Sequence, residues 1–194
     1  FMVVNSFYRK KTSKTSKSIQ LAFNLSKLSY FVLILLFSSF SFNSISQVIK
    51  IKSEPILYKK IDTVKLYLHQ FKPINFDSSK KYNTIVFIHG GGWNQGKWQA
   101  FKRQSMYFAT RGMMCFSIEY RVKNRHNTTP FDATKDVYDA YNYIINYSNK
   151  LNVNENKIVV GGGSAGGHLA MSLGFWGENS ILPKAMLLFN PVVS

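Results

Sequence analysis

Gly161-Gly162-Gly163-Ser164-Ala165-Gly166-Gly167-His168 is the stretch whose reading decides the fold. It follows the apolar run Lys157-Ile158-Val159-Val160, which reads as a buried strand, and opens Leu169 to Phe175, which reads as a helix. A serine with glycines two before and two after, at a strand-to-helix junction, matches the G-x-S-x-G nucleophile elbow. Such a turn holds the serine in a strained backbone so that its hydroxyl stands clear of the sheet, and Cβ atoms at Gly162 and Gly166 would block so tight a reversal. The next amide, that of Ala165, falls in the first helical turn. It has no internal partner there and the helix dipole favours negative charge, so it can donate to an oxyanion. Gly161, Gly163 and Gly166 also fit the dinucleotide fingerprint G-x-G-x-x-G. That motif needs an acid about 20 positions on to hold a ribose hydroxyl. The only acid after the motif is Glu178, too early for that role.

Upstream, Thr84-Ile85-Val86-Phe87-Ile88 is continuously apolar, as a strand buried on both faces would be, and runs directly into His89-Gly90-Gly91-Gly92-Trp93. Both glycine runs thus sit at the carboxyl ends of buried strands, the edge of a parallel sheet where ligands bind. Exposed amides in the first run can supply the second donor that a tetrahedral intermediate needs. Between the two runs, Trp98 to Arg111 has helical spacing closed by Gly112, Met113 to Tyr120 is a third apolar strand, and Asp132 to Ser148 is an amphipathic helix. Val64 to His69 alternates like an edge strand, and Lys184 to Asn190 is a last strand. Strands alternating with helices predict an α/β fold, a mostly parallel sheet with helices on both faces.

The net charge of +16 looks like a nucleic-acid signal until it is divided along the chain. Residues 1–60 hold ten Lys or Arg against one acid, so more than half of the excess lies in the first 60 residues. The remaining cations form no stripe that would track phosphates, and no nucleic-acid partner is expected. Arg9 to Lys27 carries six basic residues and no acid, then Tyr30 to Phe37 is an apolar heart that decays into Ser and Asn. That pattern, with Ser44 and Ser46 before Gln47, reads as a signal peptide over residues 1–46, too short to span a bilayer. The expected location is secreted or periplasmic, with membrane contact only during export. Cys115 is alone in an apolar run, so an internal disulfide is excluded and a buried inert thiol is expected.

From about Val64 to Ser194 the chain resembles the amino-terminal two-thirds of an α/β hydrolase of the hormone-sensitive-lipase and feruloyl/acetylxylan-esterase type. The residues that carry the resemblance are His89-Gly90-Gly91-Gly92-Trp93, Glu119-Tyr120-Arg121, Pro130 with Asp136, and Gly162-Gly163-Ser164-Ala165-Gly166-Gly167-His168-Leu169-Ala170. The resemblance implies Ser164 as nucleophile, the amides of Gly91, Gly92 and Ala165 as the oxyanion hole, and a carboxylic ester as substrate, with no metal and no cofactor. Within the family the likeness runs to secreted esterases that remove acyl groups from polysaccharides.

The chain also departs from that pattern. A triad on this fold runs Ser, then Asp or Glu, then His. After Ser164 the only histidine is His168, one helical turn on, where its ring lies along the helix flank instead of reaching Ser164 as a base. His89 is expected to anchor its own loop, and His69 and His126 lie in segments with no reason to approach the elbow. Residues 47–194 are therefore expected to be a partial hydrolase domain, nearly inactive alone, whose acid and base follow residue 194. A secreted serine peptidase on the same fold and a non-catalytic glycan-binding protein stay open as alternatives.

Overall fold

The computed structural model describes residues 51–175 and 181–193. The signal-peptide reading of residues 1–46 and the acid Glu178 lie outside these described residues.

Six strands form one sheet: β1 (Glu54–Ile61), β2 (Val64–Phe71), β3 (Tyr82–Ile88), β4 (Met114–Ile118), β5 (Val153–Gly163) and β6 (Ala185–Phe189). Their spatial order is β1-β2-β4-β3-β5-β6. β3, β4, β5 and β6 pair in parallel, and β2 joins β4 and β1 antiparallel. A 3-10 turn at Trp98–Phe101 leads into α1 (Lys102–Ala109), followed by the short α2 (Lys123–His126), then α3 (Pro130–Asn146) and α4 (Ala165–Phe175).

The central strands are apolar throughout because both faces are covered. Val86 and Ile88 of β3 and Met114, Phe116 and Ile118 of β4 point to one face, where Val137, Tyr141 and Ile144 of α3 and Leu169 and Leu173 of α4 complete the larger core. Ile85, Phe87 and Cys115 point to the other, against Phe101 and Ala109. The lone thiol is fully buried, and desolvation raises its pKa far above the ordinary cysteine range.

α3 starts where the chemistry of Thr129-Pro130-Phe131-Asp132 dictates. Thr129 Oγ1 accepts from the Asp132 amide while the Asp132 carboxylate accepts from the Thr129 amide, and Pro130 supplies a ready helical φ. The helix therefore begins two residues ahead of the predicted Asp132. One expectation is corrected: Val64–Phe71 is an interior strand, since β1 lies outside it as the edge. β1 was not legible because Glu54-Pro55-Ile56-Leu57-Tyr58-Lys59-Lys60-Ile61 alternates only partly, and a register shift between Leu57 and Lys59 breaks its period.

Candidate active site

β5 ends at Gly163 and α4 begins at Ala165, leaving Ser164 alone in the reversal. Its φ of 52° lies in the left-handed region, which a non-glycine side chain occupies at a cost of about 1–3 kcal/mol. The surroundings over-determine it: the Ser164 amide donates to Phe189 O at 2.9 Å, and Ser164 O accepts from the His168 amide at 3.1 Å. The residue is exposed, and among the described residues its hydroxyl has no hydrogen-bond partner. Both flanking glycines are required by close approach. A Cβ on Gly162 would sit 2.2 Å from Gly166 O, and one on Gly166 would sit 2.2 Å from Ile88 O and 2.4 Å from His89 O.

The last two distances also tie the elbow to the end of β3. A Cβ on Gly90 would lie 2.6 Å from Gly163 O and 3.3 Å from the Ser164 Cβ, so the glycine loop and the serine share one rim of the sheet. The loop turns back on itself, with the Asn94 and Gln95 amides both donating to Gly91 O. It is strapped to α2 by Lys123 N to Trp93 O at 2.9 Å and Asn124 N to Asn94 O at 3.0 Å. Among the described residues the amides of Gly91, Gly92 and Ala165 donate to no backbone carbonyl. An open cleft of about 510 Å³ lies against Ser164, lined also by Gly90, Phe101, Gln104, Phe189 and Asn190. Phe101 stacks on Phe87 at 4.9 Å and leans on Phe189 at 6.0 Å, giving that cleft a rigid aromatic wall.

His89 is bonded to the first residue of the glycine loop. Its ring is buried and stacked on Tyr120 at 4.1 Å, and its Nδ1–H donates to Gly90 O at 2.8 Å. Tyr120 in turn donates its hydroxyl to His89 O at 2.7 Å. Burial, with a smaller contribution from Arg125, pulls the His89 pKa down to about 4, so the ring is neutral at pH 7. The other three histidines are held away from Ser164. His168 donates through Nδ1 to Val192 O at 3.0 Å and meets the Trp93 ring edge-on. His126 Nδ1 accepts the Val122 amide, and His69 Nε2 bonds Glu119 Oε1 at 2.8 Å. Asp136 is fully buried and occupied: it takes Arg121 on both carboxylate oxygens and Lys59 on one. It acts as a structural clasp between α3 and the chain after β4.

Sequence reasoning missed the cleft walls. Phe101 and Gln104 lie far from Phe189 and Asn190 in the chain, and the pairing of β5 with β6 sets Phe189 beside Gly163. Tyr120 was singled out as part of a motif, but its bond to the loop carbonyl has no local sequence signature.

A glycine loop and a strained serine on one rim is a recurring arrangement, and the family model for BD-FAE matches residues 71–191, the span that builds it. The chain belongs to the BD-FAE family. Among solved structures, this BD-FAE chain resembles the propionate-bound esterase 2 of Thermogutta terrifontis, with a TM-score of 0.67 and 37% identity over 73% of this chain and 55% of that one. The same enzyme phosphorylated by paraoxon matches equally, over 58% of its chain. The fold is accordingly the α/β-hydrolase fold. Curated relatives include an acetylxylan esterase of Xylanibacter ruminicola, 27% identical over 57% of this chain and 23% of that protein. An esterase of Fusarium pseudograminearum is 28% identical over 48% of this chain and 29% of that protein. The BD-FAE chain thus spans about half the length of the solved relatives and under a third of the curated ones.

Proposed function

We propose that the protein is a secreted serine carboxylesterase that removes acyl groups from polysaccharides. The observation that carries this reading is the exposed, left-handed Ser164 on the same rim as the Gly90-Gly91-Gly92 run. In this mechanism Ser164 Oγ attacks the ester carbonyl as a base takes its proton. The oxyanion is held by the amides of Gly91, Gly92 and Ala165, the alcohol leaves with a proton, and water releases the acid from the acyl-enzyme. None of the four histidines is placed as that base, since each is engaged elsewhere. Export rests on the leader composition of residues 1–46. Support for the ester comes from the relatives, one of which is named an acetylxylan esterase and another of which holds propionate.

The test is hydrolysis by the full-length protein of acetylated xylan, a feruloyl ester and an aminoacyl nitroanilide. The esters should be cleaved faster, and Ser164→Ala should lower kcat by roughly 10⁴-fold with unchanged circular dichroism. Faster cleavage of the nitroanilide would make the protein a peptidase. Retained esterase activity in Ser164→Ala would remove the mechanism.

A further inference from the structure

A second pocket, of about 210 Å³, is left unused by the ester chemistry. Its buried lining includes Leu66 of β2, together with His89 and Tyr120. Its exposed edge carries Lys65, Lys97 and Arg125. These charges are not cancelled. Among the described residues none of the three cations has a carboxylate within ion-pair distance. The one acid in the lining, Glu119, is already bonded to His69 Nε2.

Two of the donors, Arg125 and His126, are also held in place. Arg125 uses Nη2 on Gly96 O at 2.8 Å, which fixes its guanidinium against the glycine loop and leaves its other N–H groups free to meet an anion. His126 accepts the Val122 amide at Nδ1, so in its neutral form Nε2 is a donor. Trp98 forms a flat wall whose orientation is locked by stacking on His69, with ring centroids 3.8 Å apart and planes 12° apart. Cations around a flat aromatic wall suit a ligand that has a planar anionic group and an apolar ring face, because guanidinium and ammonium donors pair with carboxylate oxygens.

The placement ties this pocket to the cleft. Of the four residues in the 3-10 turn, Trp98 and Gln99 line the charged pocket, whereas Ala100 and Phe101 line the Ser164 cleft. The turn is about 8 Å long at 3-10 rise, short enough for one oligosaccharide to lie across it and reach both. We propose that the pocket is a subsite for an acidic saccharide, binding the carboxylate of a hexuronate residue in the polymer that carries the ester. Its link to catalysis rests on the esterase reading, but the binding itself does not.

The experiment is calorimetric titration of the full-length Ser164→Ala protein, which separates binding from hydrolysis, with trigalacturonate, uncharged xylotriose and inorganic sulfate. Trigalacturonate should bind most tightly and lose affinity as salt rises. Lys65→Gln with Lys97→Gln should weaken it on the order of tenfold, given exposed charge pairs of this kind. Lys135→Gln, an exposed lysine of α3 outside the pocket, should leave it unchanged. Equal binding of xylotriose, no binding of trigalacturonate, sulfate binding as tightly as the saccharide, or equal loss in Lys135→Gln would each overturn the proposal. A failed esterase assay with this binding pattern intact would sink the catalytic reading alone.

Discussion

His89 shows how one buried side chain can set the pH response of the loop it supports. Its folded pKa of about 4 lies below the ordinary 6.5 because the ring is desolvated, so below pH 6.5 the unfolded chain binds a proton that the folded chain refuses. Its contribution to stability is present above pH 6.5 and falls away towards pH 4. That difference corresponds to about 3 kcal/mol across the window. Denaturant unfolding at pH 7 and pH 4.5 should reveal this slope, and His89→Gln should flatten it. An unchanged slope in the variant would place the pH dependence elsewhere. Gly166 offers a steric test. Its Cβ would enter the Ile88 and His89 carbonyls, so Gly166→Ala should destabilise by about 3 kcal/mol, read as a fall in Tm, with loss of the elbow geometry. At this scale the sequence carried Ser164, Ala165 and the glycine pattern openly, because an elbow is a local device. Tyr120 on His89 O and Phe101 beside Phe189 were hidden because their partners lie 31 and 88 positions away.

The elements around the site are secured by contacts of unequal weight. Thr129 and Asp132 close a reciprocal cap at the start of α3, and Thr129→Ala should cost about 1 kcal/mol of stability. Asp136, further along the same helix, should cost more. Asp136→Asn leaves Arg121 and Lys59 without their buried counter-charge, and a loss of about 3 kcal/mol in denaturant unfolding is expected. A loss smaller than that of Thr129→Ala would mean that the clasp is not structural. The parallel strands were legible as continuous apolar runs, since burial on both faces erases alternation in a recognisable way. β1 was not, because a lysine-rich strand bent by a bulge at the sheet edge resembles a loop in composition.

At the scale of the molecule, the sheet order carries the functional argument. β3 and β5 are neighbours, so the loops that leave their carboxyl ends, far apart in sequence, share a rim. That both loops leave the carboxyl edge of a parallel sheet could be expected from alternating strands and helices, whereas the direct pairing of β3 with β5 and the antiparallel strands β1 and β2 beside β4 could not. The central claim, that Ser164 is the reacting nucleophile of this rim, is tested most directly by treating the full-length protein with a fluorophosphonate and mapping the adduct by peptide mass spectrometry. The account predicts one phosphonyl group on Ser164, absent in Ser164→Ala. A label on any other residue, or one that persists in Ser164→Ala, would contradict it.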